Sequence, residues 1–183
     1  MFLRLVFVAL LVGNLGADSL STDKRFGVEA NPLYLFLAGL SGSNETFLSG
    51  SFSYCNHENL AEITVPFHYM KLEHDDYKQF TIDVHYRKFI NDSIGGFYYS
   101  GFARFAKLEG ESGNSYTKLT KAGVGAGIGF GLFHKSGFYW GMSLSLGAYL
   151  LGDNDQFTHS LFVVTDDPHL IVDVELLKFG YTF

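Results

Sequence analysis

Between Ala122 and Phe133 the chain alternates without a break: Ala122, Val124, Ala126, Ile128, Phe130 and Leu132 hold the even positions, and glycines hold every odd position from Gly123 to Gly131. Successive side chains leave a strand on opposite faces, so this stretch presents one apolar face and one face without side chains. A helix would scatter the glycines around its surface and lose about 1 kcal/mol at each relative to alanine, so a strand is expected. Phe138 to Leu150 repeats the pattern, with Phe138, Trp140, Met142, Leu144, Leu146 and Ala148 opposed to Tyr139, Gly141, Ser143, Ser145 and Gly147. The short link His134 to Gly137 makes the two a hairpin.

Reading outward from this pair, strands are expected over Arg25 to Gly39, Phe47 to Cys55, Ala61 to Lys71, Tyr77 to Phe89, Gly96 to Leu108 and His169 to Phe183. The total is about eight, an even number suited to a membrane-spanning antiparallel barrel, and each strand is roughly long enough to cross a bilayer at a tilt. In such a barrel the apolar face, for example Phe80, Ile82, Val84 and Tyr86, meets lipid while Thr81, Asp83, His85 and Arg87 turn inward. Tyr69, Tyr77, Phe97, Tyr98, Tyr99, Tyr139 and Tyr181 fall near strand ends, where aromatic girdles sit at bilayer interfaces. A soluble barrel or sandwich with its apolar face inward would produce the same alternation. The fold class expected is all-β, a single up-and-down transmembrane barrel.

The segment Met1 to Ala17 reads as a cleaved signal peptide: Arg4, the apolar run Leu5 to Val12, then Leu15-Gly16-Ala17 before Asp18. The competing reading, a membrane anchor, needs roughly 20 apolar residues, and Gly13, Asn14 and Gly16 interrupt this run. Residues 18–183 form one barrel domain, since 183 residues leave room for no more. A net charge of −6 supplies no long basic stripe, so nucleic acid is not an expected partner. The single cysteine, Cys55, has no intrachain disulfide partner and no metal-ligand spacing around it, and neither a metal nor a cofactor is expected.

The chain closes Lys178-Phe179-Gly180-Tyr181-Thr182-Phe183, with aromatics at alternate positions up to a terminal Phe. Here it resembles the small eight-stranded outer-membrane barrels of the OmpA/OmpX type. The resemblance covers the mature chain as a pattern, with the last strand its one specific motif. It implies that Phe179, Tyr181 and Phe183 form the signal read by the barrel-insertion machinery. It further implies a porin-like protein in a Gram-negative outer membrane, both termini periplasmic, in contact with outer-membrane lipid and lipopolysaccharide. The longest link, Gly152 to Pro168, then faces outside, where a loop partner of unspecified identity would meet it. In the last strand, strict alternation would put Asp173 and Glu175 on the lipid-facing side with Phe179. Acids there are costly, so a bulge near Leu176-Leu177 is expected to swap the faces.

Two candidate sites follow. Inward positions collect Glu29, Glu62, Asp83, His85, Arg87, Arg104, Lys121, Asp173 and Glu175, an ion-pair network that can fill a narrow barrel; a proton path or an acid and base pair is the functional alternative. Higher in the interior, Leu33, Leu35 and Leu37 face Gly123, Gly125, Gly127, Ser143 and Ser145. That pairing suggests an apolar recess, unless Phe102 and Tyr98 fill it. Gly123 to Gly131 lacks the spacing of a phosphate-binding G-x-G-x-x-G loop. His134 and Ser136 resemble part of the lipid A deacylase motif without its following Asn. On the outer link, His159, Ser160 and the acids Asp153, Asp155, Asp166 and Asp167 read as a solvated acidic loop. The function expected is a structural or loop-mediated envelope role with an ion-pair plug and no catalytic residues. The alternative is a lipid-handling barrel, either an enzyme acting on lipid A or a carrier of a small apolar molecule.

Overall fold

The computed structural model describes residues 22–32, 46–72, 77–112, 115–152 and 169–183. The strands are β1 (Phe26–Ala30), β2 (Thr46–Asn56), β3 (Ala61–Leu72), β4 (Tyr77–Phe89), β5 (Gly96–Ser112), β6 (Ser115–Phe133), β7 (Phe138–Gly152) and β8 (Leu170–Thr182). Each pairs antiparallel with its sequence neighbour, and β1 pairs with β8, so the sheet closes into an up-and-down barrel without a crossover. The closing seam continues past the strands, with the Phe26 N–H donating to the Phe183 carbonyl at 3.0 Å and the Phe183 N–H to the Phe26 carbonyl at 2.8 Å. The expected leader, Met1 to Ala17, lies outside the described residues, as do Leu33, Leu35 and Leu37 and the link acids Asp153, Asp155, Asp166 and Asp167.

Alternation fixes which face of each strand lies inside. In β4, Val84 is 52% exposed while its neighbour Asp83 is 1% exposed, and the same inversion recurs around the wall, with Phe52, Ile63, Phe67, Phe105 and Leu146 on the outside. The barrel therefore carries its large apolar side chains outward and its charges inward.

Four expectations need correction. Strand β1 is described only to Ala30, followed by Asn31 and Pro32 outside the strand, where proline has no N–H for a ladder. The link expected over Glu109 to Ser115 is largely strand, because β5 and β6 stay paired up to Ser112 and Ser115. Tyr77, Tyr98 and Tyr139 leave the expected girdle: all three point into the barrel and are buried. The glycine-lined recess is occupied, as described below.

At the end where β1 starts and β8 finishes, Cys55, Phe89, Ile94, Tyr98, Phe133 and Tyr139 form an apolar cluster inside the wall, with Phe133 stacked on Tyr139 at 4.8 Å between ring centres. Toward the other end, Phe47, Leu72 and Tyr77 pack together with Met70 and Leu108. The β6–β7 turn is tight, with Gly137 at φ 106°, a conformation that strains residues with a Cβ. Its Gly137 carbonyl accepts from the Thr182 N–H at 2.8 Å, tying the turn to β8.

Candidate functional site: the charged interior

The charged inward side chains lie between the two apolar clusters and gather into three groups that span the barrel. In the first, one Arg87 Nη reaches Glu29 from β1 at 3.2 Å and Glu62 from β3 at 2.9 Å. The Ser51 hydroxyl donates to the same Glu29 oxygen at 3.0 Å and the Thr64 hydroxyl at 3.3 Å. The guanidinium lies 5.3 Å from the centre of the Tyr98 ring, so its flat face is covered as well as its edge.

In the second group, Arg104 on β5 clasps Asp83 on β4, with Nε at 2.9 Å from one oxygen and Nη2 at 2.6 Å from the other. The same Nη2 crosses the interior to Asp173 on β8 at 2.7 Å, joining strands that share no ladder. His85 Nε2 stands 3.3 Å from Asp83, and its ring stacks on Phe102 at 5.0 Å.

The third group follows from the bulge in β8. Residues Leu176 and Leu177 together oppose the single Met142, since Glu175 pairs with Ser143 and Lys178 with Gly141. The extra residue swaps the faces, as expected from the sequence, and brings Glu175 and Lys178 to the same inner side despite their odd spacing. Their Nζ–carboxylate distance is 2.7 Å, and the Ser143 hydroxyl donates to Glu175 at 2.8 Å while accepting from Lys178 at 3.0 Å. Lys178 is the member that the sequence reading left out. The signal was present, because plain alternation from the outward Phe179 turns its neighbour Lys178 inward.

Of the expected network, Glu29, Glu62 and Arg87 are brought together, as are Asp83, His85, Arg104 and Asp173. Glu175 pairs with Lys178. Lys121 is buried near the far end, its ammonium 5.6 Å from the Tyr149 ring. Five carboxylates (Glu29, Glu62, Asp83, Asp173, Glu175) thus face four cations (Arg87, Arg104, Lys121, Lys178), with His85 beside the most enclosed acid. Near-balance of this kind is what lets charge persist away from water.

The recess expected along Gly123, Gly125 and Gly127 is filled, at Gly125 from β5 and at Gly123 by Ile171 of β8 and the β7 backbone. A Cβ added at Gly125 would run into the Phe102 ring and the Leu146 carbonyl, and one at Gly147 would come within 2.9 Å of Phe102. Tyr98 covers Gly129 in the same way, and Ser145 and Ser100 close over Gly127. The glycines are the sockets for these neighbours. His134 Nδ1 lies 2.7 Å from the Ser136 hydroxyl and also accepts the Ser136 N–H at 3.2 Å. That nitrogen is engaged in closing the turn, so it is poorly placed to take a proton from the hydroxyl. On the outer wall a groove of about 640 Å³ runs over β6, β7, β8 and β1, lined by Val28, Ala30, Leu132, Phe138, Trp140, Phe179 and Tyr181. Among the described residues no group of His, Cys, Asp or Glu is arranged to hold a metal ion.

No protein-family model matches this sequence, and neither a curated protein nor a solved structure matches the chain.

Proposed function

We propose that the chain is an integral outer-membrane barrel of a Gram-negative-type envelope, with its interior plugged by ion pairs and its role structural or carried by its links. The observation behind this reading is the inversion of the wall: Ile128 is 64% exposed and Val84 52%, against 1% for Glu62 and Asp83. A protein in water would bear an apolar surface of that extent at the cost of association, whereas a bilayer provides it with a matching solvent. A closed sheet also leaves no unpaired edge in the hydrocarbon. The start of β1 and the finish of β8 share one end with the turns 57–60, 90–95 and 134–137, the arrangement that periplasmic termini with short periplasmic turns would give.

Clusters of apolar side chains at both ends of a charged middle support a plug over a conducting path. The groove over Val28, Trp140 and Phe179 favours one version of the lipid-handling alternative, in which an acyl chain lies along the outer wall. With Phe102 seated against Gly125, an interior carrier has no comparable support.

The test is fractionation followed by gel mobility with and without boiling. The expected result is recovery with outer membranes and a shift on heating, because a closed barrel resists detergent until its ladder melts. Recovery of folded protein in the soluble periplasm would refute the proposal.

A further inference from the structure

Glu29 and Glu62 share one guanidinium, and one oxygen of each carboxylate is left over. Glu29 Oε1 accepts from Arg87, Ser51 and Thr64, and Glu62 Oε2 accepts from Arg87. Among the described residues, Glu29 Oε2, Glu62 Oε1, the Ser53 hydroxyl and the Tyr139 hydroxyl are buried without a hydrogen-bond partner. All four residues are more than nine-tenths buried. They share one neighbourhood. Tyr139 lies over Gly180, the β8 residue opposite Glu29, and its hydroxyl faces Glu29 without completing a hydrogen bond to it. Ser53 stands opposite Thr64, whose hydroxyl reaches Glu29, and two residues along β2 from Cys55, which stands opposite Glu62. Buried carboxylate oxygens without donors are costly, and water is the partner that meets such groups in protein interiors, typically through about three hydrogen bonds. It fits this set by type: the carboxylate oxygens only accept, so they take the protons of a water, and the hydroxyls can donate to it.

Next to this set, toward the end where β1 starts, lies the cluster of Cys55, Phe89, Ile94, Tyr98, Phe133 and Tyr139. Five of its members stand on paired strands, and Ile94 alone is carried by a turn. That turn, 90–95, runs into β5 through Gly95 at φ 141° and Gly96 at φ 79°, backbone conformations that glycine adopts without strain. The Asn91 amide donates to the Gly95 carbonyl at 3.3 Å, and the Ile90 N–H donates to the Phe97 carbonyl at 3.0 Å. Ile90 points outward at 67% exposure while Ile94 is 1% exposed, so Ile94 is the apolar anchor of the turn. We propose that Glu29, Glu62, Ser53 and Tyr139 line a buried water site, and that the 90–95 turn is its door, with Ile94 as the stopper that swings out to admit water.

On the other side of the site Arg104 joins Asp83 to Asp173, and beyond that pair Phe47, Leu72 and Tyr77 pack together inside the wall. Water therefore enters and leaves by one end, and the site holds solvent without conducting it. The inference needs only the closed barrel, whatever surrounds its outer wall.

The experiment uses the full barrel refolded into detergent micelles and pulsed X-ray footprinting, in which hydroxyl radicals made from water oxidise the side chains beside it. Tyr139 should be oxidised several-fold faster than Tyr77, which is similarly enclosed but whose hydroxyl donates to Gln79 at 2.8 Å. Equal rates at the two tyrosines would overturn the water site. The door is read at Cys55, the single thiol of the chain, which is 0% exposed and opposite Glu62. Ile94→Ala should speed its reaction with a small methanethiosulfonate about ten- to a hundredfold, the factor set by the burial free energy of one isoleucine side chain. Leu72→Ala, a comparable loss from the cluster toward the far end, should leave the rate near that of the parent. Ile94→Val should raise it by a smaller factor and stands in if Ile94→Ala does not fold. An unchanged rate in the Ile94 variants would overturn the door. Equal acceleration by Leu72→Ala would overturn it too, since the thiol would then be reached only by unfolding of the whole barrel.

Discussion

Removing the charge of Arg104 tests whether the interior pairs hold the barrel together. Arg104→Gln keeps most of the side chain's bulk and its reach toward Asp83 but leaves Asp83 and Asp173 without a counter-ion. Asp83 is the more enclosed, with a side chain at 0% exposure against 14% for Asp173, and His85 at 3.3 Å is its remaining neighbour. Breaking a buried pair while its partner stays ionised costs about 3 to 5 kcal/mol, and here one cation serves two acids, so the upper half of that range is expected. The single Trp140 lies on the wall against Phe130 and reports unfolding directly. Urea titration of the barrel in lipid vesicles, followed by Trp140 emission, should therefore show a much lower midpoint for Arg104→Gln. The triple variant Arg104→Leu/Asp83→Leu/Asp173→Leu should recover most of the loss, because a neutral apolar interior of similar volume avoids the orphaned charges. A midpoint for Arg104→Gln within about 0.5 kcal/mol of the parent would refute the reasoning, since that is the range of an ordinary surface change.

Two further outcomes follow from the packing and from the seam. Gly125→Leu should destabilise the barrel by about 1 to 3 kcal/mol or more in the same titration, because the Phe102 ring already fills the space, and Phe102→Ala should restore part of the loss. Stabilisation by Gly125→Leu alone would show an open recess instead. Phe183→Asp should lower the amount of assembled, heat-modifiable barrel while leaving export unchanged, since the terminal aromatic strand is the expected insertion signal; normal barrel levels would remove that role.

The parts of the fold that were legible in the sequence are those in which one face of a strand differs chemically from the other. In β6 glycine alternates with apolar residues, and in β4 Asp83, His85 and Arg87 alternate with Ile82, Val84 and Tyr86, so strand, face and register all follow from the period. The β8 bulge was legible for a related reason, because alternation conflicted with the cost of placing Asp173 and Glu175 outside. The upper ends of β5 and β6 were hidden, since Glu109 and Gly110 on β5 and Thr117 and Lys118 on β6 are polar or small on both faces. Tyr77, Tyr98 and Tyr139 were misplaced because aromatic rings suit either an interface girdle or an interior socket. What decides between them is the neighbouring strand: Tyr98 lies over Gly129 and Tyr139 over Gly180, partners distant in sequence.

The filling of the interior bears on where this barrel can act. Its middle is held by Arg87, Arg104 and Lys178, each bonded to at least one carboxylate, and Arg104 bridges opposite walls to Asp173. Moving any of these side chains aside for a passing ion or guest would expose a buried charge, a step that costs several kcal/mol each time. Gly125 and Gly129, which could have lined a cavity, are covered by Phe102 and Tyr98, and the end where β1 starts and β8 finishes is lined inside by Phe89, Ile94 and Phe133. Traffic through the centre would therefore require several independent rearrangements at once. The outer wall asks for none: the groove beside Trp140 is open to the surroundings. On the proposed bilayer reading, a barrel with so fixed a core is built to work at its perimeter, so the lipids around it, rather than solutes within it, are the ligands it favours.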